Sequence, residues 1–341
     1  MRMLRSLLVP AIALGVAFPF AASSVQAETN KIKIGKVVSG NGFHIPSYVA
    51  MDHGFFKEEG LDATWVELQG AALVKAALAK NADFVPIPSG GAQAALRGAK
   101  IKYVVGQSLR SQWTITVPNK VNKVEELRGK TLGYGRIGGA DYDEGAAVMR
   151  RAFKMEVGKD YKVISFQSEP DRIAALVNGD IQGAILSIPH AAKAAKHGMK
   201  VLVRTGDYIP RAGGSFWTRE EFVTENPTTT KKFVRAIAKA VTFFRTNKEG
   251  SVATMQKYLG IKDADEAAAI WEQLKNAFGA EIPPELFAKI FESRLKTMKA
   301  ARQWPEDKPM PSAETWVARD LLESTLKEMN YVPTKLDAPK S

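Results

Sequence analysis

A small set of polar residues carries the chemistry of this chain: Asn41, His44, Gln69, Ser89, Gly90, Arg136, Gly138, Gly139, Asp141 and Ser187. Each follows a short apolar or alternating run, and several stand just ahead of a helical pattern. These types donate and accept hydrogen bonds. Backbone N–H groups at Gly138 and Gly139 could cradle a sulfonate, phosphate or carboxylate at a helix start. Arg136 could grip such a group with two parallel bonds, although a solvated arginine is an equal reading; Arg110 is a weaker candidate cation. Asp141 would repel an anion unless the ligand also carries an amine or hydroxyl. Alternatively, Asp141 or Asp143 caps the helix that follows, with Glu144 complementing its dipole. His44 could donate to a ligand oxygen, stack on a ring or face water. Trp65, Trp113 and Trp217 could line a pocket for a ring or sit in the core. His53, His190 and His197 read as helix-surface residues.

The elements that must position these residues alternate. Residues 32–34 read as a strand ending near Gly35, and the Ser39-Gly40-Asn41-Gly42 run breaks it. Pro46 then suits the first turn of a helix. A strand over residues 61–68 follows, then a helix over 71–80, a short strand over 83–88, a loop at 89–91, a helix from 92 and a strand over 100–106. This alternation predicts parallel β-α-β wiring, with ligands beyond the carboxyl ends of the strands. A second unit repeats the scheme: a strand over 131–134, a glycine loop, and a helix around 144–153. The run Ala76-Ala77-Leu78 through Val104 is echoed by Ala174-Ala175-Leu176 through Val203, with Ser187-Ile188-Pro189-His190 in the place of Pro88-Ser89-Gly90. Two related α/β lobes explain one echo better than a solenoid, which needs about three copies. The chain crosses near 107–118, returns through 207–214, and turns helical from Pro227.

Three stretches resemble one family. Residues 48–62, YVAMDHGFFKEEGLD, resemble the signature of solute-binding proteins of ABC importers in the nitrate, sulfonate, taurine and thiamine-precursor group. Residues 127–133, LRGKTLG, resemble that family's second-lobe motif, and Asn226-Pro227 followed by Phe233 resembles its C-terminal helix. The resemblance implies a periplasmic binding protein type II fold: two α/β lobes joined by two hinge crossings. It implies lobe 1 over 28–115, lobe 2 over 116–210, a lobe 1 return over 211–332 and a frayed tail over 333–341. The implied protein is a monomer, not an enzyme. Its partners are a small-molecule ligand and the permease and ATPase subunits of an importer. The ligand expected is a sulfonate, a taurine-like zwitterion or an aromatic carboxylate, with a heteroaromatic such as a pyrimidine precursor as the alternative. The family often has Ser or Thr where this chain has Ala140-Asp141-Tyr142-Asp143, which puts a purely anionic ligand in question.

Composition narrows the field. Arg2 and Arg5, an apolar core and Val25-Gln26-Ala27 read as a cleaved signal peptide over residues 1–27, implying export to the periplasm. Its removal takes the formal charge from +12 to +10. The lysines are scattered along helices, which argues for a solvated surface rather than nucleic-acid binding. With zero cysteines, disulfides, thiolate metal sites and cysteine catalysis are excluded, and with them the pyrimidine-precursor synthases that share this fold. The four histidines show no metal spacing, and no cofactor motif is present. Other same-fold enzymes, or a sensor module using the same pocket, are the competing readings.

Overall fold

Alternation fixes the first strand: in β1 (Asn30–Lys36), Ile32 and Ile34 are buried while Lys31 and Lys33 face water. The structure, a computed structural model, describes residues 30–37, 42–137, 139–208 and 214–335. The expected signal peptide, Asn41, Gly138, most of the expected return and the chain end lie outside the described residues. Among those described, no helix is long and apolar enough to cross a membrane.

After β1 come α1 (Ile45–Asp52), α2 (Phe55–Glu58), β2 (Leu61–Glu67), α3 (Gly70–Leu78), α4 (Pro88–Leu96) and β3 (Ile101–Ser108). Then follow β4 (Trp113–Pro118), β5 (Thr131–Tyr134), α5 (Ala140–Phe153), β6 (Lys162–Ser165), α6 (Glu169–Asn178), β7 (Gly183–Ser187), α7 (Ile188–Ala195) and β8 (Met199–Arg204). β9 (Gly214–Arg219) precedes a helical remainder: α8 (Glu220–Glu225), α9 (Pro227–Thr246), α10 (Lys248–Leu259), α11 (Ala264–Leu274), α12 (Pro284–Ala300) and α13 (Arg319–Glu328).

β1 pairs in parallel with β2, and β3 pairs antiparallel with β9. Single bridges, Ile34 to Phe84 and Val85 to Trp217, join these two pairs. The strand expected over 83–88 is therefore reduced to two bridging residues. Pro86 and Pro88 lack the N–H that a longer ladder needs. The second sheet runs β6-β5-β7-β4-β8. β5 is parallel to β6 and β7, as the β-α-β wiring predicts, whereas β4 is antiparallel to β7 and β8. β4 enters from the other sheet and runs against the strands made by local β-α-β units. The expected boundary between 115 and 116 falls inside β4.

The apolar residues segregate accordingly. One core gathers β1, β2, β3 and β9 with α1, α9, α11 and α12, around Phe84, Phe216, Trp217, Phe233 and Phe287. On β7, Ile185 points to one face of the second sheet, with Leu132, Val148 and Met149. Its neighbours Ala184 and Leu186 point to the other face, with Leu176, Ala191 and Ala194. A strand buried on both faces shows this division.

The expected loop at 89–91 is instead the first turn of α4, which Pro88 opens. A Cβ on Gly90 would stand 2.7 Å from Val74 Cγ2, so glycine lets α3 and α4 approach closely.

Candidate functional site

Five helices begin at one cleft of about 360 Å³, walled by residues of both sheet regions. His44 precedes α1, Gln69 and Gly70 open α3, and Ser89 and Gly90 lie in the first turn of α4. Gly139 and Asp141 open α5, and Glu169 and Pro170 open α6. Among the described residues, the N-termini of α1, α3, α4 and α5 carry no side-chain cap, whereas Ser168 Oγ caps α6 by accepting from the Asp171 N–H. Uncapped N-terminal N–H groups hold partial positive charge, and each favours an anion by about 0.3–1 kcal/mol. The Phe43 and Trp113 rings, 4.9 Å apart between centroids, and Phe166 supply an aromatic part of the wall.

The charged side chains are mostly tied. Arg172, 4% exposed, donates from Nη1 to Asp141 Oδ2 at 2.9 Å and also to the Ile185 carbonyl. Arg294 on α12 meets Asp143 on α5 at 3.3 Å. Arg136 is exposed and makes no ion pair with the described residues. His44 is buried, and burial, with Lys36 nearby, pushes its pKa down to about 3 against a hydrogen bond to the Pro86 carbonyl. Its Nδ1 has no partner among the described residues, so Nε2 carries the proton that Pro86 accepts. His190 Nδ1 lies 3.0 Å from Ser187 Oγ and 3.3 Å from Glu169 Oε2, and Glu169 also accepts the Ser187 N–H at 2.6 Å. Among the described residues, no group of three or more His, Asp or Glu could hold a metal ion.

Of the residues singled out in the sequence, His44, Gln69, Ser89, Gly90, Arg136, Gly139 and Asp141 line this cleft. Asn41 and Gly138 lie outside the described residues. Ser187 does not line the cleft: it is fully buried and holds His190 instead. Three expectations are corrected. Neither Asp141 nor Asp143 caps α5; Gly139 is its N-cap, and both carboxylates are drawn to arginines. The cation that balances Asp141 is Arg172, not Arg136. His190 is 4% exposed rather than on a helix surface, because α6 packs over α7. Trp113 reaches the cleft, while Trp217 is a core residue and Trp65 packs edge-on against Tyr48.

Glu169, Arg172, His190 and Arg294 were missed. The Ser168-Glu169-Pro170-Asp171 run is a legible cap signature and could have placed Glu169 at a helix start. Arg294 sits on the stripe of Phe287, Ile290, Phe291 and Met298. A charge on an apolar stripe is a signal in itself.

A model of the family described as NMT1/THI5 like matches residues 41–250. A Brucella abortus (strain 2308) relative, called a binding protein, is 26% identical over 260 residues, covering 74% of this chain and 79% of its own. The periplasmic aliphatic sulphonate binding protein SsuA from Escherichia coli superposes with a TM-score of 0.70 at 16% identity, covering 86% of this chain and 99% of its own. The periplasmic nitrate-binding protein NrtA from Synechocystis PCC 6803 gives 0.72 at 13% identity, covering 90% and 92%. The fold is that of periplasmic binding proteins, in the mixed α/β class.

Proposed function

Because the chain belongs to the NMT1/THI5-like family, we propose that it is the substrate-binding component of an ABC-type importer and that it captures a small organic anion or zwitterion. The observation that carries the ligand class is the convergence on one cleft of four helix N-termini with no side-chain cap among the described residues, beside Arg136, which makes no ion pair with those residues. Fixed N–H dipoles and one exposed guanidinium favour a carboxylate or sulfonate. The Phe43–Trp113 wall suits an apolar or aromatic body behind that group. The names of the solved neighbours, sulphonate- and nitrate-binding, support the same class.

The proposed working unit is two lobes, each built on one sheet region, that close on the ligand and present it to permease and ATPase subunits after export. Contacts to both walls favour the shut state. Capture rather than bond cleavage is supported by the cleft-side arrangement that superficially resembles a nucleophile relay. Ser187 Oγ and Glu169 Oε2 both approach the same nitrogen of His190, and Ser187 is fully buried. A serine nucleophile needs the base on one ring nitrogen, the carboxylate on the other, and access to substrate.

A thermal-shift panel of sulfonates, carboxylates and pyrimidines, followed by calorimetry, tests this reading. Members of the anionic classes should raise the melting temperature, and pyrimidines should not. Stabilisation by pyrimidines alone overturns the ligand class. A purified protein that no panel member stabilises, yet that turns over a substrate, overturns the binding role.

A further inference from the structure

His190 is a buried, tightly held polar side chain on the cleft wall. Its Nδ1 is bracketed by Ser187 Oγ and Glu169 Oε2. A carboxylate accepts only, so Nδ1 carries a proton and the neutral ring leaves its lone pair on Nε2. Nε2 has no hydrogen-bond partner among the described residues, and it is not among the sealed, unpartnered atoms. A ring only 4% exposed therefore keeps its one open nitrogen accessible, and the residue lines both the ligand cleft and a second hollow between α6 and α7. Ser187 and Glu169 fix the ring, and the backbone of the β7–α7 junction fixes Ser187.

We propose that His190 is a ligand-contacting group of this cleft, and that it takes a second proton from solvent when an organic anion binds. The proposal rests on the anion reading above. One proton moves from water or buffer to Nε2, no bond in the ligand breaks, and the resulting imidazolium donates to the anion while Nδ1–H continues to donate to Ser187 Oγ, with Glu169 Oε2 at 3.3 Å. The charged groups around the ring make this step favourable only with ligand present. From α6, Glu169 favours the charged ring and Arg172 opposes it; from α7 itself, Lys193 opposes it. Asp141 on α5 is engaged by Arg172, and Glu266 on α11 is engaged by Lys196. β4 and β7 carry no charged side chain, and β8 carries Lys200, bonded to Asn122, and Arg204. Burial holds the ring below its ordinary value despite Glu169. An added anion supplies a further negative charge beside the ring. Affinity should then rise as pH falls, because the complex binds a proton that the free protein does not.

The full mature chain is labelled with 15N, and ring spectra are taken without ligand and with saturating taurine or benzoate. The expected result is a neutral Nδ1–H tautomer at neutral pH when free, and an imidazolium in complex. Calorimetry in phosphate and in Tris should report uptake of about one proton per ligand. His190→Asn, which keeps a donor toward Glu169 but has no Nε2, should lose the buffer dependence and bind at least about fivefold more weakly near pH 6, with a smaller loss near pH 8. If that variant fails to fold, the wild-type spectra decide alone. A complex in which Arg136 resonances shift while His190 stays neutral overturns the inference and leaves the anion reading standing. If neither compound shifts Arg136 or His190, the anion reading falls and the inference falls with it.

Discussion

Arg294 on α12 and Asp143 on α5 form an ion pair, Nη2 to Oδ2 at 3.3 Å, with both side chains less than a tenth exposed. The pair joins two separately packed bodies. α12 is anchored by Ile290 and Phe291 in the first core, and α5 by Val148 and Met149 in the second. It also lies at the cleft, because Arg294 lines it. Removing one partner of a buried pair takes a counter-charge from the other, at a cost of roughly 3 kcal/mol. Asp143→Ala should therefore lower the urea midpoint strongly. The double change Asp143→Ala, Arg294→Met should recover most of that loss, since a buried pair and an apolar replacement are often close in energy. A single-variant cost below about 0.5 kcal/mol would show that water already solvates the pair.

Arg136 contrasts with the other cleft arginines. It is exposed and unpaired among the described residues, so it has little part in holding the fold. A hydrogen bond to a charged partner is worth about 1.5–3 kcal/mol, or about 10-fold to 150-fold in affinity. Arg136→Ala should weaken a sulfonate or carboxylate by about that lower bound and leave the unfolding midpoint unchanged. Equal calorimetric affinity in the two proteins would remove Arg136 from the site.

Gly135 ends the strand side of the loop before α5. A Cβ there would lie 2.1 Å from Asp141 Oδ2, the oxygen that receives Arg172. Gly135→Ala must move that carboxylate, breaking its alignment with a guanidinium that is itself buried. A loss of about 1–3 kcal/mol is expected from overpacking, with weaker ligand binding alongside. Gly129→Ala is the control. Its φ of 71° makes alanine strained, but nothing lies within 4 Å of its Cβ, and it is outside the cleft. Its cost should appear in stability alone, and matched affinity losses in the two variants would sink the argument.

The elements legible in the sequence were those whose pattern is local. Ile32 and Ile34 alternate with lysines, residues 131–134 form a strand at the expected positions, and α9 begins at Pro227 as its Asn-Pro start predicts. The rule that ligands meet the ends of strands directed attention to His44, Gln69 and Ser89, which precede or open the helices that follow the first sheet region's strands. Arg172 and Arg294 could not be found that way, because each comes from within a helix and reaches the cleft by packing. His190 shows the same limit. It lies three residues beyond a strand, but its burial depends on α6, which covers α7 and brings Glu169 to the ring. Asp141 was read as a cap because aspartate favours that position, yet a buried arginine 31 residues away offers a stronger partner.

His44 makes the acid limb of the stability curve testable. In the folded chain its pKa is pushed down to about 3 from an ordinary value of 6.5, chiefly by burial. Between those values the unfolded chain binds a proton that the folded chain does not, so the unfolding free energy falls as pH drops through that window. The contribution is fully present above the unfolded value and is lost progressively toward the folded one. Each pKa unit is worth about 1.4 kcal/mol, which makes the whole effect on the order of a few kcal/mol. Replacing the ring by His44→Gln keeps a donor for the Pro86 carbonyl and removes the titration. Urea midpoints measured from about pH 7 down to about pH 4 should therefore fall less steeply in the variant, by a slope equivalent to about one proton. Carboxylates with lowered pKa, such as Asp52 and Glu59, also lose stability in acid, but they do so equally in both proteins. The difference between the curves thus isolates the imidazole. Parallel curves would mean that His44 takes up its proton in the folded state as readily as in the unfolded one, and that the wall of the cleft beside Pro86 is wet.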